Sequence, residues 1–65
     1  MTLLPEFTEN TETAAILYFN AEGQNAAALQ DALEKTYPCF TAMRVVKKDG
    51  KPYVALEIET GDEPN

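Results

Sequence analysis

Apolar and polar residues alternate clearly over the C-terminal half of the chain. Two strand-like runs, 39–48 and 51–60, flank the dipeptide Asp49-Gly50. Both residues of this dipeptide tolerate the positive φ angles of a type I′ turn, so the pattern is a strong signal for a β-hairpin. A two-residue turn also fixes the register. It pairs Lys48 with Lys51, Val46 with Tyr53, Val45 with Val54, Met43 with Leu56 and Thr41 with Ile58.

This register sorts the side chains of the hairpin onto two faces. One face collects a purely apolar set: Met43, Val45, Val54, Leu56 and Ile58. The turn residues and the hydrophobic pattern favour the same register independently, which makes it the best-supported inference from the sequence. We expect this apolar face to pack against a helix.

Two further elements precede the hairpin. Residues 13–20 (TAAILYFN) are apolar at both alternating sets of positions, which predicts a strand covered on both faces. Residues 24–36 combine strong helix formers with Ala and Leu at helical spacing. Tyr37-Pro38 is expected to end this helix, because a residue before proline is disfavoured in the α conformation.

The order strand–helix–strand–strand predicts an α+β fold, a single small β-α-β-β domain with a three-stranded sheet and one helix on one face. We expect the first strand beside the third and the third beside the second, as in half of a ferredoxin-like fold. Pro52 lacks an N–H, so pairing of the third strand with the first must begin after it. Residues 1–12 are predicted to form an extended arm with room for a short edge strand, 13–60 the domain, and 61–65 a flexible acidic tail.

One helix leaves the other face of the sheet uncovered. The register places five candidate partner-binding residues there: Phe40, Arg44, Val46, Tyr53 and Ala55. A contiguous apolar surface on a small domain is typical of an interface with a partner protein or a second copy. The alternative is that the arm folds across this face, anchored by Leu3, Leu4 and Phe7. Arg44 and Glu57 are predicted to form a solvated cross-strand ion pair.

The composition excludes most catalytic chemistry. The chain contains no His, Ser or Trp and one Cys, so neither a Ser–His nor a Cys–His nucleophilic pair can form. Glu57 and Glu59 share a strand face, but a domain of this size is too small to enclose a substrate pocket. We therefore predict no enzyme activity and no catalytic, cofactor or metal site. Cys39 is expected to be half-buried, and a lone cysteine fits a reducing cytoplasm.

The sequence also lacks membrane and export signals. No apolar run approaches the length of a membrane span, and the N-terminus lacks the basic residues of a signal peptide. We expect a cytoplasmic protein that does not bind membranes.

The net charge of −6 is unevenly distributed. Residues 1–34 hold six acids and no base, residues 35–54 hold five bases and one acid, and residues 55–65 hold four acids. The basic hairpin beside Tyr53 is of a kind that can hold single-stranded nucleic acid, but the net negative charge opposes this, and direct nucleic-acid binding is not expected.

Two functional hypotheses remain. The first is a small, non-enzymatic protein–protein interaction or regulatory module that acts through the open apolar sheet face and forms a homodimer. The alternative is an acidic nucleic-acid mimic that inhibits a DNA- or RNA-handling protein, a strategy used by small phage-encoded inhibitors as a class.

Overall fold

The computed structural model describes residues 4–59 and shows a four-stranded antiparallel sheet with one helix. The elements are β1 (Phe7–Asn10), β2 (Ala14–Asn20), α1 (Ala26–Thr36), β3 (Ala42–Lys48) and β4 (Lys51–Glu59). The sheet order is β1-β2-β4-β3, so β1 and β3 form its two edges. The α+β class is confirmed, and so is the expected position of β4 between the other two predicted strands. The sheet has four strands rather than three.

The β3–β4 hairpin has the predicted turn and register. Asp49 and Gly50 have φ angles of 55° and 77°, as a type I′ turn requires. The pairs from Lys48–Lys51 to Met43–Leu56 are all formed. The predicted pair of Thr41 with Ile58 is not part of the ladder, because β3 begins at Ala42.

Pairing between β2 and β4 begins just after Pro52, as its missing N–H requires. The first pair is Asn20–Tyr53, and the Pro52 carbonyl accepts a hydrogen bond of 3.0 Å from the N–H of Ala21. The backbone groups of Pro52 are thus directed towards β2 and away from β3.

The helix begins two residues later than predicted, at Ala26. The side chain of Asn25 accepts hydrogen bonds from the N–H groups of Ala27 and Ala28, at 2.8 and 3.1 Å, and so caps the N-terminus of the helix. At the other end the N–H of Tyr37 donates to the Leu33 carbonyl, and Pro38 follows.

The main core lies between α1 and the two central strands. Leu29 and Leu33 of the helix pack with Phe19, Val54 and Leu56. The prediction that Val45 belongs to this core is wrong, since 49% of its surface is exposed. The physical reason is the lateral position of the helix, whose buried side chains pack over β2 and β4. On β3 Met43 still packs against this core, whereas Val45 is left uncovered.

The three residues before β3 also differ from the prediction. The strand was expected from residue 39, but Tyr37 to Phe40 form a turn in which the Phe40 N–H donates to the Tyr37 carbonyl at 3.4 Å. Strand alternation therefore does not extend to Phe40, which packs against the helix-side core rather than on the opposite face. Cys39, expected to be half-buried, is exposed.

Part of the predicted N-terminal arm forms the edge strand β1. Its hairpin with β2 is closed by the hydroxyl of Thr11, which accepts from the Ala14 N–H at 2.9 Å and donates to the Ala14 carbonyl at 3.1 Å. Leu3, residue 60 and the predicted tail 61–65 lie outside the described residues. Within residues 4–59, no helix has the length and apolar character needed to cross a membrane.

Candidate interaction surfaces

An aromatic cluster occupies the sheet face opposite the helix. Phe7 of β1 lies opposite Tyr18 of β2, and their rings stack with centroids 4.6 Å apart. The Phe7 ring also meets Tyr53 edge-on at 5.3 Å. Tyr18 and Tyr53 retain only 6% and 4% of their surface exposed. Much of the surface that the sequence left open is therefore covered by the chain itself.

Glu6 lies at the end of this cluster where β2 and β4 begin to pair. Its carboxylate accepts hydrogen bonds from the Asn20 side-chain amide at 2.9 Å and from the Tyr53 hydroxyl at 3.0 Å. These two bonds, with a smaller attraction from Lys51, hold the pKa of the Glu6 carboxyl below its usual value. Burial and the nearby carboxylate raise the pKa of the Tyr53 hydroxyl.

Glu9 and Lys48 connect the two edge strands across the same face. The Tyr18 hydroxyl donates to Glu9 Oε1 at 2.9 Å, while Lys48 Nζ lies 3.5 Å from Glu9 Oε2. The Lys48 ammonium also lies 4.8 Å from the centre of the Tyr18 ring, within the range of a cation–π contact. Burial, followed by the Glu9 hydrogen bond, raises the pKa of Tyr18.

The structure brings together some of the five candidate partner-binding residues. Val46, Tyr53 and Ala55 belong to the cluster on the helix-free face, and Arg44 lies exposed on the same face opposite Ala55. Phe40 lies on the other side of the sheet. Tyr53 and Ala55 are 4% and 5% exposed, which leaves them little area for a partner. Their contact with a partner stays a prediction, as does the homodimer.

The predicted cross-strand ion pair is not formed. Arg44 and Glu57 are not among the ion pairs of residues 4–59, in which Lys48 pairs with Glu9 and Lys35 with Asp31. Arg44 is therefore a cation without a paired carboxylate in the described part of the chain.

Val45, on the edge strand β3, is an apolar residue that lies next to the core and is nevertheless exposed. Of the large hydrophobic residues described, Leu4 and Val45 stand out as exposed, at 73% and 49%. Val45 lies directly opposite Val54, which is fully buried. Val45 thus extends the apolar helix-side face up to a sheet edge.

Backbone groups on β3 also face outward. Pro52 directs its carbonyl towards β2, and in an antiparallel ladder the bonding direction alternates along a strand. Val54 and Leu56 therefore also bond towards β2, and the residues opposite Pro52, Val54 and Leu56 do not bond to β4. These are Lys47, Val45 and Met43, whose N–H and C=O groups form the open edge.

The described residues form neither a ligand pocket nor a metal site. Residues 4–59 contain no pocket and no group of three or more acidic, Cys or His side chains arranged to hold a metal ion. Comparison of the chain with family models, curated proteins and solved structures gave no match. The interpretation of function therefore depends on the surfaces.

Sequence reasoning left one feature of these surfaces open and missed another. The first is the cover that β1 provides, which stood as an alternative and for which the signal was Phe7, an aromatic residue in a mostly polar segment before a strand rich in aromatic side chains. The second is the exposure of Val45, for which the pattern carried no signal, because a buried face and an edge of that face have the same apolar alternation.

Proposed function

We propose that the protein is a small non-enzymatic module that acts by binding another protein through the edge of β3. The observation that supports this most is Val45, which is half exposed on an unpaired edge while the residue opposite it is fully buried. An open strand edge with an apolar side chain is suited to partners that add a strand to the sheet.

The proposed site is a sheet edge rather than the helix-free face that the sequence suggested. On that face Tyr53 and Ala55 are already buried, and Phe7 of β1 occupies the place that a partner was expected to take. This arrangement supports the alternative in which the N-terminal arm covers the face, with Phe7 as its anchor. Leu4, also expected as an anchor, is 73% exposed and does not serve as one.

The decisive variant is Val45→Pro. The N–H of Val45 faces outward, so proline removes a donor that only a partner strand would use and leaves the β3–β4 hydrogen bonds in place. We expect partners captured from a lysate of the source cell to fall by about tenfold, as measured by quantitative mass spectrometry.

The matched control is Thr8→Pro on the opposite edge. The Tyr18 carbonyl accepts from the β1 side, so Phe7 and Glu9 form the bonded pairs and the Thr8 N–H faces outward as well. This variant should retain the partners. Val45→Glu, which keeps the backbone donor and removes the apolar side chain, provides a second test if proline lowers the stability of the fold. Equal capture by wild type and both Val45 variants would contradict the proposal.

The acidic-mimic alternative predicts a different pattern. A mimic binds through its carboxylates, so its affinity should fall steeply with salt and survive substitution at Val45. Two of the N-terminal acids, Glu6 just before β1 and Glu9 within it, are already bonded to tyrosine hydroxyls, and this favours the edge-binding proposal.

A further inference from the structure

We infer that the β3 edge takes an acidic, extended segment of a partner protein, which adds to the sheet as an antiparallel strand. The inference rests on the proposed function and names the partner class. It is argued from the charge of β3, the direction of its backbone groups and the order of its side chains.

The charge of β3 is opposite to that of the molecule as a whole. The strand holds Arg44, Lys47 and Lys48 and no acid, while the whole chain carries −6. Arg44 and Lys47 are exposed and point to opposite faces of the sheet, so both faces of the edge are basic. Lysine on an edge opposes pairing with an identical strand, because like charges then approach each other. The same charges attract an acidic strand.

The backbone sets where such a strand would bond. The outward N–H and C=O groups belong to Met43, Val45 and Lys47, so the residues facing these three form the hydrogen-bonded pairs. Their side chains lie on the helix-side face, where an apolar residue opposite Val45 would cover its exposed surface. The residues facing Arg44 and Val46 lie on the other face.

This alternation defines a sequence for the incoming strand. Carboxylates are placed opposite the three bases, of which Arg44 and Lys47 are exposed while Lys48 already contacts Glu9, and apolar residues opposite Met43, Val45 and Val46. Read antiparallel to β3, from the position facing Lys48 to the position facing Met43, the segment is Glu-Glu-Val-Val-Glu-Ile. Its apolar residues lie on both faces, which matches the apolar and basic residues mixed along β3.

The probe for the test is this hexapeptide, acetylated, amidated and fluorescently labelled, with Lys-Lys-Val-Val-Lys-Ile as its charge-reversed counterpart. In fluorescence anisotropy the acidic peptide should bind about tenfold more tightly than the basic one, mainly through cross-strand charge pairs with Arg44 and Lys47. In hydrogen exchange it should protect the amides of Met43, Val45 and Lys47, which have no partner in the sheet itself.

Two charge reversals localise the effect. Lys47→Glu should weaken the acidic peptide about fivefold and strengthen the basic one. Lys35→Glu changes the net charge equally but lies on the exposed side of α1, so it should leave the preference unchanged. An equal effect of the two substitutions would mean that only net charge matters, and would overturn the inference.

Other outcomes overturn the inference in distinguishable ways. Equal affinity for the two peptides rejects an acidic partner, and tighter binding of an oligothymidylate at β3 makes the edge a nucleic-acid site. A wild-type dimer that Val45→Pro dissociates makes the occupant a second copy.

If Val45→Pro abolishes partner capture and the acidic peptide does not bind, the inference fails but the proposed function stands. If Val45→Pro leaves capture unchanged, the proposed function fails.

Discussion

At the scale of single residues, the ionisation of Glu6 makes the stability of the fold depend on pH. Its folded-state pKa lies below the ordinary value of 4.5, because the Asn20 amide and then the Tyr53 hydroxyl donate to its charged form. A carboxyl with a lowered folded-state pKa stabilises the protein above the unfolded pKa. This contribution is lost as the pH falls from about 4.5 through the lowered value.

Replacing Glu6 with Gln should remove this titration while keeping one acceptor oxygen for the Asn20 amide; the Tyr53 hydroxyl can instead accept from the new amide N–H. We expect the urea midpoint of wild type to fall more steeply than that of Glu6→Gln between about pH 6 and about pH 3. Glu34→Gln, at an exposed helix position, makes the same change in charge and should follow the wild-type curve. Parallel curves for wild type and Glu6→Gln would show that the hydrogen bonds do not stabilise the charged form.

At the scale of secondary-structure elements, β1 is attached to the sheet largely through Phe7. The strand has four residues, of which Phe7 is the least exposed, and its ring contacts both Tyr18 and Tyr53. Phe7→Ala should lower the free energy of unfolding by about 2 kcal/mol, less than for a fully buried Phe. It should also raise the hydrogen-exchange rate of the β1 amides more than that of the amides in β2, β3 and β4. Leu4→Ala, at a position 73% exposed, should change neither.

The elements also show how far the sequence determines this fold. The β3–β4 register was predictable because Asp49-Gly50 sets it locally and the apolar pattern agrees with it. The exposure of Val45 was not predictable, because helical periodicity indicates which side of α1 is buried but not which strands α1 covers. The position of Phe40 was missed for a related reason, since alternation assigns faces only inside a strand and β3 begins after Phe40.

The same limit applies to the candidate site. The sequence correctly grouped Val46, Tyr53 and Ala55 on one face, because their alternation lies within the paired strands. It left open whether the N-terminal arm covers this face, because that depends on the edge strand β1, which is short and mostly polar. Pairing of such a strand is decided by the contacts of one aromatic ring and by hydrogen bonds to distant tyrosines.

At the scale of the whole molecule, we expect the separation of charge to control which strand edges can meet. β3 is basic, whereas Glu9 of β1 and Glu6 just before it are acids, held on the helix-free face by hydrogen bonds from Tyr18 and Tyr53. Two β3 edges from different copies can align their outward backbone groups with Val45 at the centre, which would bury the exposed valine. The bases of β3 oppose this alignment.

Neutralising the edge should therefore allow the protein to self-associate. In the double variant with Arg44→Thr and Lys47→Thr, both positions keep a residue that favours strands and lose their charge. We expect it to form dimers or larger species at a concentration about tenfold lower than wild type in sedimentation velocity. A control with Lys35→Gln and Lys51→Gln makes the same change in net charge away from the open edge and should behave as wild type.

High salt should bring the self-association of wild type closer to that of the edge variant, because salt screens exposed charges. If the edge variant is no more associated than the control, the β3 bases do not protect this edge, and the dimer predicted from the sequence has to form at another surface.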